Sequence, residues 1–190
     1  MPSPVAHSLI GLAVGIGCLV PRARGVAVLR ALRRRLRHLL VFLVLANFPD
    51  LDYVPGLFVG YINAFHFQYT HTLGWIAGVA PAVWLLWRRQ EKGIGVGMLA
   101  VLFGLLASHL VADMLTTDYW DPFGIMALWP LTDRYFVSPV AIFANVAKAE
   151  WPDILKRQNL DVLAVELAWC VPLVLGVSVW KRAGPLDRRA

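Results

Sequence analysis

Charge and cysteine are both scarce in this sequence. Only 16% of the 190 residues are Asp, Glu, Lys or Arg, against about a quarter in soluble domains. Hydrophobic residues make up 58%, and the mean hydropathy is +0.61. That balance excludes an ordinary soluble domain and leaves a polytopic membrane protein. The two cysteines, Cys18 and Cys170, form no CxxC pair and no disulfide framework; both fall in apolar runs and read as small buried residues. No basic residue precedes the apolar stretch of "MPSPVAHSLIG", so this segment is not read as a cleaved secretory signal and is expected to stay on the mature protein. No internal repeat is evident, and residues 1–190 read as one domain.

What is present is patterned. Five apolar runs, about 5–20, 38–49, 72–87, 94–115 and 160–180, read as membrane spans of an all-α bundle. The first three are short of the roughly 20 residues a full span needs, so their ends must extend into flanking residues or the bilayer must thin. Gly11 and Gly15 give the first run a small face for close helix packing. Eight tryptophans suit two membrane–water interfaces. Residues 53–70 and 116–159 are the connections on one side, and "EWPDILKRQNLD" within the second reads as a short interfacial helix.

The formal charge of +6 is unevenly distributed. Segments 21–38, 88–92 and 181–190 hold 14 of the 18 basic residues and only two acids, Glu91 and Asp187. By the positive-inside rule these segments are cytoplasmic, which puts the N-terminus outside and the C-terminus inside. The arginine-rich runs read as anchors for anionic lipid; nucleic acid is not expected as a partner.

Measured along each helix from its inner basic end, His7, Asp50, His71 and His109 all lie roughly 20–25 Å away. In a hydrocarbon core of roughly 30 Å that is one level, near the outer boundary. His109 and Asp113 share a helix face at i, i+4 and can bind one ion; alone, the pair reads equally well as an interhelical hydrogen bond. In "NFPDLD" an extended backbone would point Asp50 and Asp52 apart, whereas a turn aims both at a metal. "HFQYTH" brings His66 and His71 to the start of the third run. Ionisable residues within a span cost roughly 2.5–3.5 kcal/mol on insertion scales, so they read as functional. Seven candidate ligands (His7, Asp50, Asp52, His66, His71, His109 and Asp113) exceed the four that one tetrahedral zinc takes. A mixed His/Asp set suits zinc, manganese or iron, as one to three ions; two bridged by a carboxylate would account for the count. His38, in the basic segment, is expected not to be a ligand.

At these residues the sequence resembles the YdjM/YbcI-type family of membrane-bound metal-dependent hydrolases. Its motifs stand here as His7 in "VAHSLIG", "PDLD" (49–52), "HFQYTH" (66–71), "SHLVADMLT" (108–116) and "LWP" (128–130), covering residues 1 to about 135. Phe67 replaces the arginine that follows the first histidine of the third motif. The family is distantly similar to zinc-dependent phospholipases C, and that likeness implies phosphoester hydrolysis.

These observations lead to the expectation of a hydrolase in a bacterial inner membrane, its site facing outward and its substrate a phosphoester of a lipid or envelope precursor. His7, Asp52, His71, His109 and Asp113 would hold the metals. Asp50 is the first candidate to orient or deprotonate the attacking water, and His66 the second. Asp118, Asp121 and Asp133 are candidate acceptors for the ligating rings, and Arg134 is a candidate phosphate contact. The competing expectation is a non-enzymatic divalent-metal binder, either a scaffold or a transporter. A transporter would carry polar residues into the inner halves of the runs, which are apolar or glycine-rich.

Overall fold

The computed structural model describes residues 1–22, 26–119, 123–148 and 151–183. The architecture is all-helical: α1 (Pro4–Leu19), α2 (Val26–Ala46), α3 (Tyr53–Phe58), α4 (Leu73–Gln90), α5 (Gly97–Met114) and α6 (Gln158–Ala183). Pro49–Asp52, Tyr69–His71 and Trp151–Leu155 are short 3₁₀ turns. Among the described residues there is no strand, only isolated bridges between Thr116 and Phe143 and between Ile125 and Phe136.

α1 packs between α2 and α6 and touches α5, while α4 packs on α5. The small face of α1 is what permits the first contact. A Cβ on Gly11 would stand 2.7 Å from Ala46 Cβ, and one on Gly15 would stand 2.9 Å from Leu39 Cδ2. The core between α2, α4 and α5 is built from Phe42, Leu45, Ile76, Leu102, Leu105 and Leu106. At the start of α1, the Ser3 side chain caps Val5, and the buried Glu166 of α6 accepts from both the Ser3 backbone N–H and its hydroxyl. Carboxylate bonds of this kind fix α6 against α1 more firmly than apolar contact alone.

Two helices, Gly97–Met114 and Gln158–Ala183, are long and apolar enough to cross a membrane. A third candidate is the broken pair Ala27–Ala46 and Pro49–Phe58, bent by 55°, with Pro49 at the break because a proline cannot continue the preceding helix's hydrogen bonding. Pro4–Leu19 is apolar but short. Exposed Trp169, Leu173 and Leu175 on α6, with Leu40 and Val44 on α2, are surfaces that suit lipid.

Three expectations are corrected. The run read as 38–49 is only the end of a longer helix, since α2 already begins at Val26: the arginines before residue 38 are good helix formers and no proline or glycine interrupts 26–46. "EWPDILKRQNLD" is divided between the 3₁₀ turn Trp151–Leu155 and the start of α6 at Gln158. Cys18 is exposed, whereas Cys170 is buried as expected.

Candidate metal centre

The four motif segments meet at one end of the bundle, and each is held there by a local device. Asn47, in the last turn before the break, donates to Ser8 Oγ beside His7 and to the Leu43 carbonyl. The 3₁₀ turn Pro49–Asp52 keeps the backbone from extending, so its two carboxylates serve adjacent positions. Thr72 caps α4 by accepting from the Trp75 N–H, and its own hydroxyl donates to the Tyr69 carbonyl. The next donors of α4 are satisfied by the far connection: Leu73 N–H donates to the Ala127 carbonyl at 2.7 Å and Gly74 N–H to the Trp129 carbonyl at 3.0 Å. Helix N-termini leave such donors without intrahelical partners, and this is the structural work of the "LWP" segment. It clamps the turn that carries His71.

The donor atoms are closely spaced. His71 Nε2 and His109 Nε2 lie 3.2 Å apart. Asp113 Oδ2 is 3.2 Å from His109 Nε2 and 3.5 Å from His71 Nε2, and Asp50 Oδ1 is 3.5 Å from each of the same two nitrogens. Two triangles of donors therefore share the His71–His109 edge. Asp113 Oδ1 points the other way, 3.6 Å from His7 Nε2, and the His7 ring stacks on His109 with centroids 3.8 Å apart. The sets His7/Asp50/His109, Asp50/His66/His71 and His71/His109/Asp113 can each offer one ligand atom per residue to a metal ion.

Hydrogen bonding does not account for this packing. Both oxygens of Asp50, both of Asp113 and both ring nitrogens of His7 are buried with no hydrogen-bond partner among the described residues. Burying carboxylates in that state is costly unless something else compensates them. The spacing indicates what fits. Ligands placed tetrahedrally at zinc–nitrogen and zinc–oxygen distances stand roughly 3.3–3.6 Å apart, and the triangles have edges of 3.2–3.5 Å. A divalent ion fits this donor set.

Around these donors lies a layer that orients them. His109 Nδ1 faces the Ala46 carbonyl at 2.7 Å, so its Nδ1–H is the donor and Nε2 is the free lone pair. Asp52 lies 3.2 Å from His71 Nδ1 and 3.0 Å from His66 Nδ1, and accepts from Thr70 Oγ1 at 2.8 Å. The expected ligand Asp52 therefore has both oxygens engaged by rings and a hydroxyl, and the carboxylate left open toward His71 and His109 is that of Asp50. Turn geometry causes this exchange: in a 3₁₀ turn, residues two apart do not share a face. Of the other expected acceptors, Asp118 receives the Gly124 N–H, Asp133 is exposed, and Asp121 lies outside the described residues. The Ala46 carbonyl and Asp52 do that work. Arg134 is exposed, and its side chain makes no hydrogen bond or ion pair with the cluster among the described residues. His38 stands apart, 2.7 Å from Glu91 and stacked on Trp87.

His66 forms the edge of the site. Burial pushes its imidazole down to about 3, against the pull of the Asp52 carboxylate; the neutral ring donates from Nδ1 to Asp52 and keeps a lone pair on Nε2. Lys148 Nζ, which the sequence reading missed, lies 3.5 Å from that Nε2 and donates to the Tyr53 hydroxyl. Burial lowers its ammonium to about 8, while Asp50, Asp113 and Asp52 act to raise it. One signal could have found it: Lys148 is among only four basic residues outside the three basic segments.

The fold and site define an all-helical membrane protein with a buried His/Asp cluster that could hold a metal ion. The family model of the YdjM inner membrane protein matches residues 1–184, so the chain belongs to that family of inner membrane proteins. No curated protein and no solved structure matches it.

Proposed function

We propose that this protein is a membrane-embedded metal-dependent hydrolase that acts on a phosphoester of a lipid or envelope precursor. The observation that carries the reading is the set of buried, unpaired oxygens on Asp50 and Asp113 around the His71–His109 edge. His71, His109, Asp113, Asp50 and His7 would hold one or more ions, zinc by the donor set and spacing. When bound, the ion supplies Lewis acidity and water activated near neutral pH. Asp50 would be among the residues that hold the ion, and its carboxylate would also be the candidate to accept a proton from water at the site. Asp52 holds the His66 and His71 rings in register, and Thr70 completes its hydrogen bonding.

Orientation and substrate belong to the same proposal. The charge sorting supports five membrane-crossing helices (α1, α2, α4, α5 and α6), with the N-terminus and the cluster on the periplasmic side and the C-terminus cytoplasmic. A site at headgroup depth suits a lipid-linked phosphoester better than a soluble polymer. The test is elemental analysis of the purified protein followed by a phosphoester substrate screen in detergent and liposomes; bound metal with turnover supports the reading.

A second reading is favoured by one specific observation. His7, His71 and His109 are each no more than 1% exposed, as in a closed structural metal site. Stoichiometric metal with no open coordination position and no turnover would establish that scaffold instead.

A further inference from the structure

We propose that Lys148, positioned by the Tyr53 hydroxyl (which itself donates to Met1 Sδ), forms an anion-binding position for the phosphoryl group of the substrate at the edge of the metal centre; this rests on the hydrolase reading above. Lys148 is not a mobile surface side chain. Its carbonyl accepts from Asn63 Nδ2 at 3.2 Å. The preceding residue, Ala147, is held on both sides by Asn159, its N–H donating to Oδ1 at 2.8 Å and its carbonyl accepting from Nδ2 at 3.0 Å. The backbone is therefore fixed at the point where the side chain enters the site.

An ammonium has three donors and no acceptor. One goes to the Tyr53 hydroxyl, and the second reaches His66 Nε2 at 3.5 Å. The aromatic faces of Tyr53 and Phe67 stand 4.7 Å and 5.8 Å from Nζ, a favourable environment for a cation. Among the described residues no carboxylate lies within ion-pair distance of Nζ. The third donor is thus unmatched among the described residues, and the Asp50, Asp52 and Asp113 carboxylates act on the charge only from beyond contact, with the His66 ring of the Asp50/His66/His71 donor set in between. Tyr53 is tied to the same place by stacking on His66, with centroids 4.1 Å apart.

A ligand that completes this arrangement is an anion with several acceptor oxygens, able to reach Lys148 and the metal centre together. A phosphate or phosphomonoester has that chemistry, whether it is free phosphate or a lipid headgroup. A simple role for Lys148 in balancing the acidic cluster would leave anion binding indifferent to its removal.

The experiment uses metal-loaded protein in detergent, with metal content measured first and inorganic phosphate titrated by calorimetry. Lys148→Met should keep its metal and weaken phosphate binding by roughly 10–100-fold, the equivalent of one hydrogen bond to a charged group. Lys148→Arg should restore most of the affinity, and Lys156→Met, whose exposed ammonium pairs with Asp153, should change nothing. If Lys148→Met does not fold, Lys148→Gln replaces it. Mixed micelles of phosphatidic acid competing with phosphate, with the same dependence on Lys148, would identify the headgroup as the source; binding of free phosphate alone would identify the soluble anion. Wild type that holds metal but binds no phosphate, or that binds it equally in Lys148→Met, overturns this inference and leaves the metal centre standing. Wild type without metal overturns both.

Discussion

His71 Nε2 and His109 Nε2 stand 3.2 Å apart across 38 positions of sequence, each with its other ring nitrogen engaged, by Asp52 and Thr70 in one case and by the Ala46 carbonyl in the other. Two rings oriented in this way present lone pairs to a common point. His71→Ala, His109→Ala and Asp113→Ala should therefore each lose bound metal. His38→Ala, whose ring meets Glu91 and Trp87 instead, should retain the wild-type content. Elemental analysis of the four purified variants checks this, and equal metal in all of them would remove the metal-centre reading.

Asp50 and Asp52 should separate in experiment, in the opposite sense to the simplest reading of "PDLD". Asp50 faces the two imidazoles with oxygens that no described residue hydrogen-bonds. Asp50→Asn should lose metal and turnover together. Asp52→Asn keeps the donor set but loosens the rings of His66 and His71, so it should weaken metal affinity by about 10–100-fold, the usual effect of removing an orienting partner. Metal competition titration with a chromogenic chelator distinguishes the two.

The site was legible to the extent that its residues act through helical period and depth. The i, i+4 spacing of His109 and Asp113 fixes a shared face, and the distance from the basic ends brought His7, Asp50 and His71 to the same level. The division of labour between Asp50 and Asp52 was not legible, because it depends on the dihedral angles of a four-residue 3₁₀ turn that no periodicity encodes. Lys148 and Glu166 escaped for different reasons. Lys148 enters from an irregular connection whose path is set by Asn63 and Asn159. Glu166 sits between apolar neighbours within α6, and its purpose appears only with its partner Ser3, at 163 positions' separation. The early start of α2 was hidden because only the apolar run 38–49 carries the signal of a span, although arginine is a good helix former.

Gly74 should prove as sensitive as a ligand, though it touches no metal donor. A Cβ there would lie 2.8 Å from the Trp129 carbonyl oxygen and 2.8 Å from Pro130 Cδ, contacts with backbone and ring that cannot swing aside. Gly74→Ala must push the 127–130 segment off the start of α4, where it accepts from Leu73 and Gly74. The expected cost is about 1–3 kcal/mol, as for other overpacked sites, together with weaker metal binding because His71 precedes this turn. Gly78→Ala, where an added Cβ meets nothing within 4 Å, is the control and should be neutral or slightly stabilising through helix propensity. Thermal melts of the two variants, with and without metal, measure the difference.

The sidedness of the protein can be tested independently of its chemistry. Fourteen of the 18 basic residues lie in three segments that also hold only two of the 12 acids, and the positive-inside rule assigns those segments to the cytoplasm. Cys18 is exposed and Cys170 buried, so a Cys18→Ser background leaves little to label. Two single reporters then face opposite ways: Lys92→Cys, exposed between α4 and α5, and Leu131→Cys, 87% exposed on the connection that clamps α4. A membrane-impermeant maleimide applied to spheroplasts should modify position 131 at once and position 92 only after permeabilisation. The reverse order would place the His/Asp cluster on the cytoplasmic face and remove periplasmic envelope precursors as substrates. Labelling of both positions from the same side would mean that α5, the helix between them, does not separate them, and the five-span arrangement would fall with it.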